Sequence, residues 1–181
     1  SEMCIRDSTY ELNYFAFRDA LDVISWDNYP EWHNPYMGNE EVAKDCAMTH
    51  DMMRSLQKKP FLLMESTPSQ VNWKPVNKLK RPGMHLLSSL QAVAHGSQSV
   101  CYFQWRKGRG AAEQFHGAVV DHDGRGDTRV FRDVTQVGQA LETLQPLYSK
   151  PNAPAKACIL FDWSNWWAID YAQTGQKGNM R

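Results

Sequence analysis

Three times in this sequence a short apolar run leads into a polar, aromatic-rich loop and then into a segment with helical periodicity. The apolar runs begin near Asp22, Pro60 and Ser99, about 40 residues apart, which is the rhythm of βα units in a parallel sheet. Leu21 to Trp26 is the first expected strand. Asn39 is placed to cap the helix that follows, with Glu40 and Glu41 at the positive end of its dipole. Val42, Cys46, Thr49, Met53 and Leu56 form one stripe at three- and four-residue spacing, and Pro60 stops the helix. Four consecutive apolar residues, Phe61 to Met64, read as a strand buried on both faces. Pro82 can open the second helix, with Leu86, Leu90, Val93 and Ala94 as its stripe and Gly96 at its C-cap. Ser99 to Trp105 is the third expected strand. The third helix starts at Thr128, capped by Thr128 or Asp127, and carries Phe131, Val134, Val137, Leu141 and Leu144.

The loops that leave the strands are long and rich in chemistry, whereas those that enter them are short. That asymmetry is typical of a (β/α)₈ barrel, in which function sits at the C-terminal ends of the strands. A barrel needs ~250 residues, so three units in 181 residues make an α/β fold that is a partial (β/α)₈ barrel. Ahead of the first strand, Tyr10 to Asp19 has a short helical pattern with Leu12, Phe15 and Ala16 inward. Residues 1–8 fit no element and read as foreign to the gene. Pro146, Pro151 and Pro154 mark a boundary, after which Ala155 to Trp163 is expected as a new strand. The expected division is therefore residues 9–150 for the barrel portion and 151–181 for the start of a second domain, cut short.

Net charge is zero, with 20 basic and 20 acidic residues. This excludes the basic excess of a general nucleic-acid or membrane-surface binder. No apolar run approaches the ~20 residues that span a bilayer. The four cysteines form no CxxC pair and read as reduced thiols. Seven Trp, seven Tyr and seven Phe are present, many of them beside polar residues in the expected loops. Amphipathic rings in loops suit a ligand with apolar faces and hydroxyl edges, such as a sugar.

Glu65 ends the central strand, and a polar loop carries the chain to Trp73. On its own this carboxylate is as easily a solvated cap as a reactive group. Its context is more specific. Leu-Leu-Met-Glu65-Ser-Thr-Pro-Ser-Gln-Val-Asn-Trp73 is followed in order by Arg81-Pro-Gly-Met, Gln-Trp-Arg106 and Gly110-Ala-Ala-Glu113-Gln-Phe-His116-Gly, and preceded by Ser25-Trp26-Asp27-Asn28-Tyr29-Pro30. From about Tyr10 onward the chain resembles the glycoside hydrolase family 42 β-galactosidases. The resemblance implies the last three barrel units, followed by the first strand of a flavodoxin-like trimerisation domain. It implies that Glu65 is the nucleophile of a retaining enzyme, in which two carboxyl groups stand ~5 Å apart, one attacking and one acting as acid and then base. It also implies that Trp73 stacks on the sugar and that Glu113 and His116 hydrogen-bond galactose hydroxyls. Tyr29 and Asn28, at another strand end, are further candidates for the pocket wall.

Other readings compete for the same residues. Glu113 and His116 have the spacing of metal ligands on a helix, but no second such pair is present. Asp121, His122, Asp123 and Asp127 lack an EF-hand's register and read as a solvated turn, as does the basic stretch Lys74 to Arg81. Trp32 and His33 carry no assigned role. A related barrel glycosidase of other sugar specificity, and a non-catalytic sugar-binding or assembly module, remain alternatives. A nucleotide-binding domain shares the rhythm but would need a GxGxxG or Walker loop, which is absent.

In the family the acid/base Glu follows an Asn at the fourth strand, which has no counterpart here. Asn39-Glu40 spells that pair but opens a helix. The fragment alone is therefore expected to be inactive. No cofactor is expected: the cysteine cluster that binds zinc in some family members lies in the part without a counterpart. The expected partners are a β-galactoside and, in the full-length protein, two further copies in a homotrimer, with no nucleic acid and no membrane. The chain opens without a signal peptide, which fits the cytoplasm; because it opens inside a barrel, a leader further upstream is left open.

Overall fold

The computed structural model describes residues 13–148 and 155–172. Expectations for residues 1–8, Leu12, Pro151 and Pro154 lie outside these.

Three strands, β1 (Ser25–Asp27), β2 (Phe61–Glu65) and β3 (Ser97–Val100), pair in chain order as a parallel sheet. The crossovers are α1 (Asn39–Gln57) and α2 (Met84–Ala94), and α3 (Arg129–Tyr148) follows β3. This is the partial (β/α)₈ barrel expected from the sequence. Trp26 stands opposite Leu63, and a register shift then brings Asp27 opposite Glu65. Phe61 stands opposite Ser97, and Leu63 opposite Val100.

The core lies between sheet and helices. Ile24 and Trp26 of the first strand region join Phe61, Leu63, Met53, Leu56 and Ala92 in one buried cluster. Burying a large apolar side chain contributes about 1.5–3 kcal/mol, so this layer is the principal stabilising feature. The expectation that β2 is buried on both faces is corrected. Leu62 is half-buried and Met64 is 45% exposed. A barrel strand's second face is covered by strands across the barrel, and three described strands cannot supply that cover.

Other boundaries shift for physical reasons. β1 is shorter than Leu21–Trp26, because Leu21 and Val23 are exposed and only the residues alongside β2 become strand. β3 begins at Ser97 rather than Ser99 and ends before Trp105. The Ser97 hydroxyl accepts from Leu63 N–H at 3.0 Å, so a polar residue is drawn into the sheet. In α1, His50 is buried where Thr49 was expected; the Thr49 hydroxyl bonds the Asp45 carbonyl instead. The N-cap is Gly38, whose N–H donates to the Glu41 carboxylate at 2.7 Å, and Asn39 is the first helical residue. In α2 the inward face is His85, Ser89, Ala92 and Val93, while Leu86 and Leu90 are half-buried and Ala94 is exposed. Gly96 has φ +106°, the left-handed conformation that ends a helix at glycine.

Thr128 caps α3, accepting from Phe131 N–H at 3.2 Å, and of its expected stripe only Val137 is fully buried. The helix continues through Pro146, expected as a boundary, to Tyr148. The first helical pattern is a single 3₁₀ turn, Tyr14–Phe17, that buries Tyr14 rather than Phe15.

Residues 155–162 form no strand, which corrects the expected Ala155–Trp163 strand: a strand exists only through pairing, and no described partner strand reaches it. The helix α4 (Trp163–Tyr171) follows, with the Asp162 side chain accepting from Asn165 N–H. Trp163 packs on Tyr14 with ring centroids 5.2 Å apart. No described helix is long and apolar enough to cross a membrane.

His50 is enclosed by Trp26 and Phe61, and burial, then the neighbouring His95, pushes it down to about 4. Because its folded value lies below its unfolded one, the unfolded state binds the extra proton between about pH 6.5 and 4. Stability is retained above that window and is lost on acidification through it, by up to about 1.4 kcal/mol per pH unit. His50→Phe in the complete protein should flatten the fall in Tm between pH 6.5 and 4.5; an unchanged slope refutes the assignment.

Candidate active site

Glu65 is the last residue of β2, at the C-terminal edge of the sheet. Its carbonyl accepts from Asn28 N–H at 2.9 Å, so the loop after β1 leaves the sheet directly beside it. One residue further on, the Tyr29 hydroxyl donates to Glu65 Oε2 at 2.7 Å. Charge-assisted O–H···O⁻ bonds are this short, and the contact orients the carboxylate.

The Tyr29 ring meets Trp73 edge-on at 5.1 Å and His116 edge-on at 5.7 Å. Trp73 lies 5.4 Å from His116, and Phe103 meets His116 edge-on at 5.0 Å. The loops after β1, β2 and β3 thus converge in one group of rings beside Glu65. Trp73 is 53% exposed, which leaves an indole face for a ligand. His116 is fully buried, and its Nδ1 lies 2.9 Å from the Gly117 carbonyl. A carbonyl only accepts, so Nδ1 carries the proton and Nε2 is an acceptor. Nε2 is buried without a hydrogen-bond partner among the described residues.

The loop after β2 is held from below. Lys80, read from the sequence as part of a solvated basic stretch, is buried. Its Nζ donates to the Thr67 carbonyl at 2.5 Å and lies 3.4 Å from His85 Nδ1. Burial pushes the Lys80 ammonium down to about 8, and burial together with Lys80 pushes His85 down to about 3. His85 Nε2 lies 3.1 Å from the Tyr102 hydroxyl, whose pKa burial raises. Thr67 and Ser69 shape the turn, and Gln70 presents its carbonyl to Gly117 N–H at 2.8 Å. Gly117 is obligatory at this crossing: a Cβ there would meet the Gln70 carbonyl at 2.5 Å and the Ser69 hydroxyl at 2.6 Å.

The structure therefore brings together Glu65, Tyr29, Trp73 and His116 from the expected site residues. Asn28 contributes its main-chain N–H, while its side-chain oxygen lies 3.9 Å from Cys46 Sγ on α1. Glu113 is exposed on a 3₁₀ turn, Ala112–Phe115, and no hydrogen bond joins it to Glu65, Tyr29 or Trp73. Asn72 fastens that turn by donating to the Ala112 carbonyl. Phe103 and Lys80 were missed; Phe103 reads as strand filling, and nothing in Lys-Leu-Lys80-Arg announces a buried ammonium. Asp121 takes Lys107 at 2.8 Å, and Arg125 pairs with Asp127 at 2.7 Å, so that segment is an ion-paired turn. Among the described residues no three His, Cys, Asp or Glu side chains group as metal ligands.

Residues 2–144 match the model of the glycoside hydrolase 42 β-galactosidases. The chain is 58% identical over 165 residues to β-galactosidase BglY of Alicyclobacillus acidocaldarius, covering 90% of this chain and 23% of that protein. It is 51% identical over 170 residues to β-galactosidase GanA of Bacillus subtilis, covering 94% of this chain and 25% of that protein. Among solved structures it superposes with a TM-score of 0.89, at 49% identity, on a catalytic mutant of Gan42B, a GH42 β-galactosidase from G. stearothermophilus. That match covers 98% of this chain and 27% of the other. The chain spans about a quarter of the length of the relatives it matches.

Gly117→Ala tests the crossing between the two loops. The added methyl must displace Gln70 or the His116 segment, and a shift of about 1 Å near reacting groups costs about 10²-fold in rate. The expected result, measured as kcat of the complete enzyme, is a loss of that order; a kcat within about threefold of the parent refutes the close approach.

Proposed function

The chain belongs to the glycoside hydrolase 42 β-galactosidase family, and on that premise we propose that it carries the nucleophile of a retaining β-galactosidase acting on terminal, non-reducing β-D-galactosyl residues. The observation that carries this reading is the Tyr29–Glu65 hydrogen bond at the C-terminal end of a parallel strand, walled by Trp73, His116 and Phe103.

In the proposed double displacement, Glu65 attacks the anomeric carbon as the bond to the leaving oxygen breaks. That oxygen takes a proton from an acid/base carboxyl supplied by the rest of the barrel. Water then attacks the glycosyl ester, gives its proton to the same carboxylate and releases Glu65. Tyr29 holds the attacking carboxylate in position. Trp73 stacks on the apolar face of galactose, and Nε2 of His116 accepts a sugar hydroxyl. Only the family resemblance assigns further hydroxyls to Glu113, which is exposed on its turn. The working protein is a homotrimer in this proposal, and the present polypeptide alone is inactive because it lacks the proton donor.

Glu65→Gln in the complete enzyme decides the role. Turnover of aryl β-galactoside should fall by at least about 10³-fold while galactose binding, measured by calorimetry, is retained. Undiminished turnover refutes the nucleophile; measurable turnover by the present polypeptide alone refutes its expected inactivity.

A further inference from the structure

Lys80 is buried, and its Nζ is hydrogen-bonded to a carbonyl and an imidazole rather than to a carboxylate among the described residues. From this ammonium one arm of contacts runs to the loop after β2 and another to the loop after β3. We propose that Lys80 is a positioning residue for substrate recognition: through both arms it sets the ring of His116, and with it the nitrogen that receives a sugar hydroxyl. The inference rests on the galactosidase reading and adds to it the residue that aligns its sugar-binding histidine.

The first arm runs through the main chain. Lys80 Nζ donates to the Thr67 carbonyl at 2.5 Å, two residues beyond Glu65. The Thr67 hydroxyl donates to the Gln70 carbonyl at 2.9 Å, and the same carbonyl takes Gly117 N–H at 2.8 Å. Gly117 follows His116 directly, and its own carbonyl takes the proton of His116 Nδ1 at 2.9 Å. Gly117 is thus fixed by the Lys80 arm on its N–H and fixes the imidazole with its carbonyl.

The second arm runs through side chains. An ammonium only donates, so His85 Nδ1, 3.4 Å away, accepts and its Nε2 carries the proton. That proton meets the Tyr102 hydroxyl at 3.1 Å. Burial and then Lys80 push His85 down to about 3, so the ring stays neutral and this tautomer persists. Phe103 comes next in the chain. Its N–H donates to the Ser66 carbonyl at 3.0 Å, and its ring meets His116 edge-on at 5.0 Å. Both arms therefore end at His116, which they reach from opposite loops.

Filling space does not require an ammonium here. An uncharged side chain of similar length would occupy the same volume without the cost of burying a charge. What the ammonium adds is direction: its donors reach groups at the roots of the two loops that wall His116. A connected polar network holds one arrangement where hydrocarbon contacts permit several.

The test uses the complete enzyme and nitrophenyl β-galactoside. Lys80→Met keeps the length of the side chain and removes its charge and donors. Its kcat/KM should fall about 10-fold, chiefly through a higher KM. In a His116→Ala background the same change should alter kcat/KM by no more than about twofold, because the group that Lys80 positions is already gone. A residue that merely stabilises the fold would show no such dependence on His116. A kcat/KM within about twofold of the parent overturns the proposal, as does a fall of equal size in both backgrounds or one that resides in kcat alone. If Lys80→Met does not fold, Tyr102→Phe, which deletes one hydroxyl from the second arm, decides by the same comparison of backgrounds. A parent enzyme that does not hydrolyse the galactoside overturns the galactosidase reading, and this inference with it.

Discussion

The hydrogen bond from Tyr29 to Glu65 closes at 2.7 Å because two strands run parallel in one register. Parallel pairing puts the C-terminal ends of β1 and β2 on the same side, so both loops leave the sheet together. The register shift after Trp26 sets Asp27 opposite Glu65, and the Asn28 N–H then finds the Glu65 carbonyl. A slip of one residue would change which residues of β1 and β2 stand opposite each other and send Tyr29 elsewhere. That register is specified by the helix-side cluster of Trp26, Phe61, Leu63, Met53 and Ala92. The apolar pattern of the strands thus reaches the chemistry through one pairing choice.

The second dependence is on Lys80. Burying an ammonium with no carboxylate beside it opposes folding, and hydrogen bonds to Thr67 and His85 offset only part of that cost. The ordering it brings is visible in the loop after Glu65. Thr67 is fixed by Lys80, Thr67 fixes Gln70, and Gln70 fixes Gly117, the neighbour of His116. Arg129 at the start of α3 adds a bond to the Lys80 carbonyl at 3.0 Å. One buried cation therefore ties the loop after β2 to the loop after β3 and to the helix behind them.

What the sequence reveals follows from which forces leave a local pattern. The start and stop of α1, the strand ending at Glu65 and the left-handed Gly96 are set by propensity, capping and apolar runs, and each is legible. The family motif adds Trp73 and His116. The inward face of α2 is not legible. Periodicity counts apolar residues, whereas this face carries His85 and Ser89, because it meets Tyr102 and Lys80 rather than hydrocarbon. β3 escapes for the same reason, since Ser97 and Ser99 enter the sheet on hydroxyl bonds to Leu63. Buried polar networks depend on partners distant in sequence, so no window of residues announces them. The segment 155–162 errs the other way. It has strand composition, and composition does not supply a neighbouring strand.

Completion of the core and completion of the chemistry are one event in this architecture. The helix-facing side of β2 is closed by Phe61 and Leu63, while the other side leaves Leu62 half-buried and Met64 45% exposed. Strands on the opposite wall of a closed barrel are what cover that inner side. The proposed retaining mechanism needs its second carboxyl ~5 Å from Glu65, a distance that the end of an opposite-wall strand can meet. In that proposal, the strands that would bury Leu62 and Met64 would also carry the proton donor to Glu65. Any loosening of the inner barrel core also moves the two carboxyl groups apart. A barrel packed just well enough to fold would catalyse poorly, so the inner residues serve rate as well as stability.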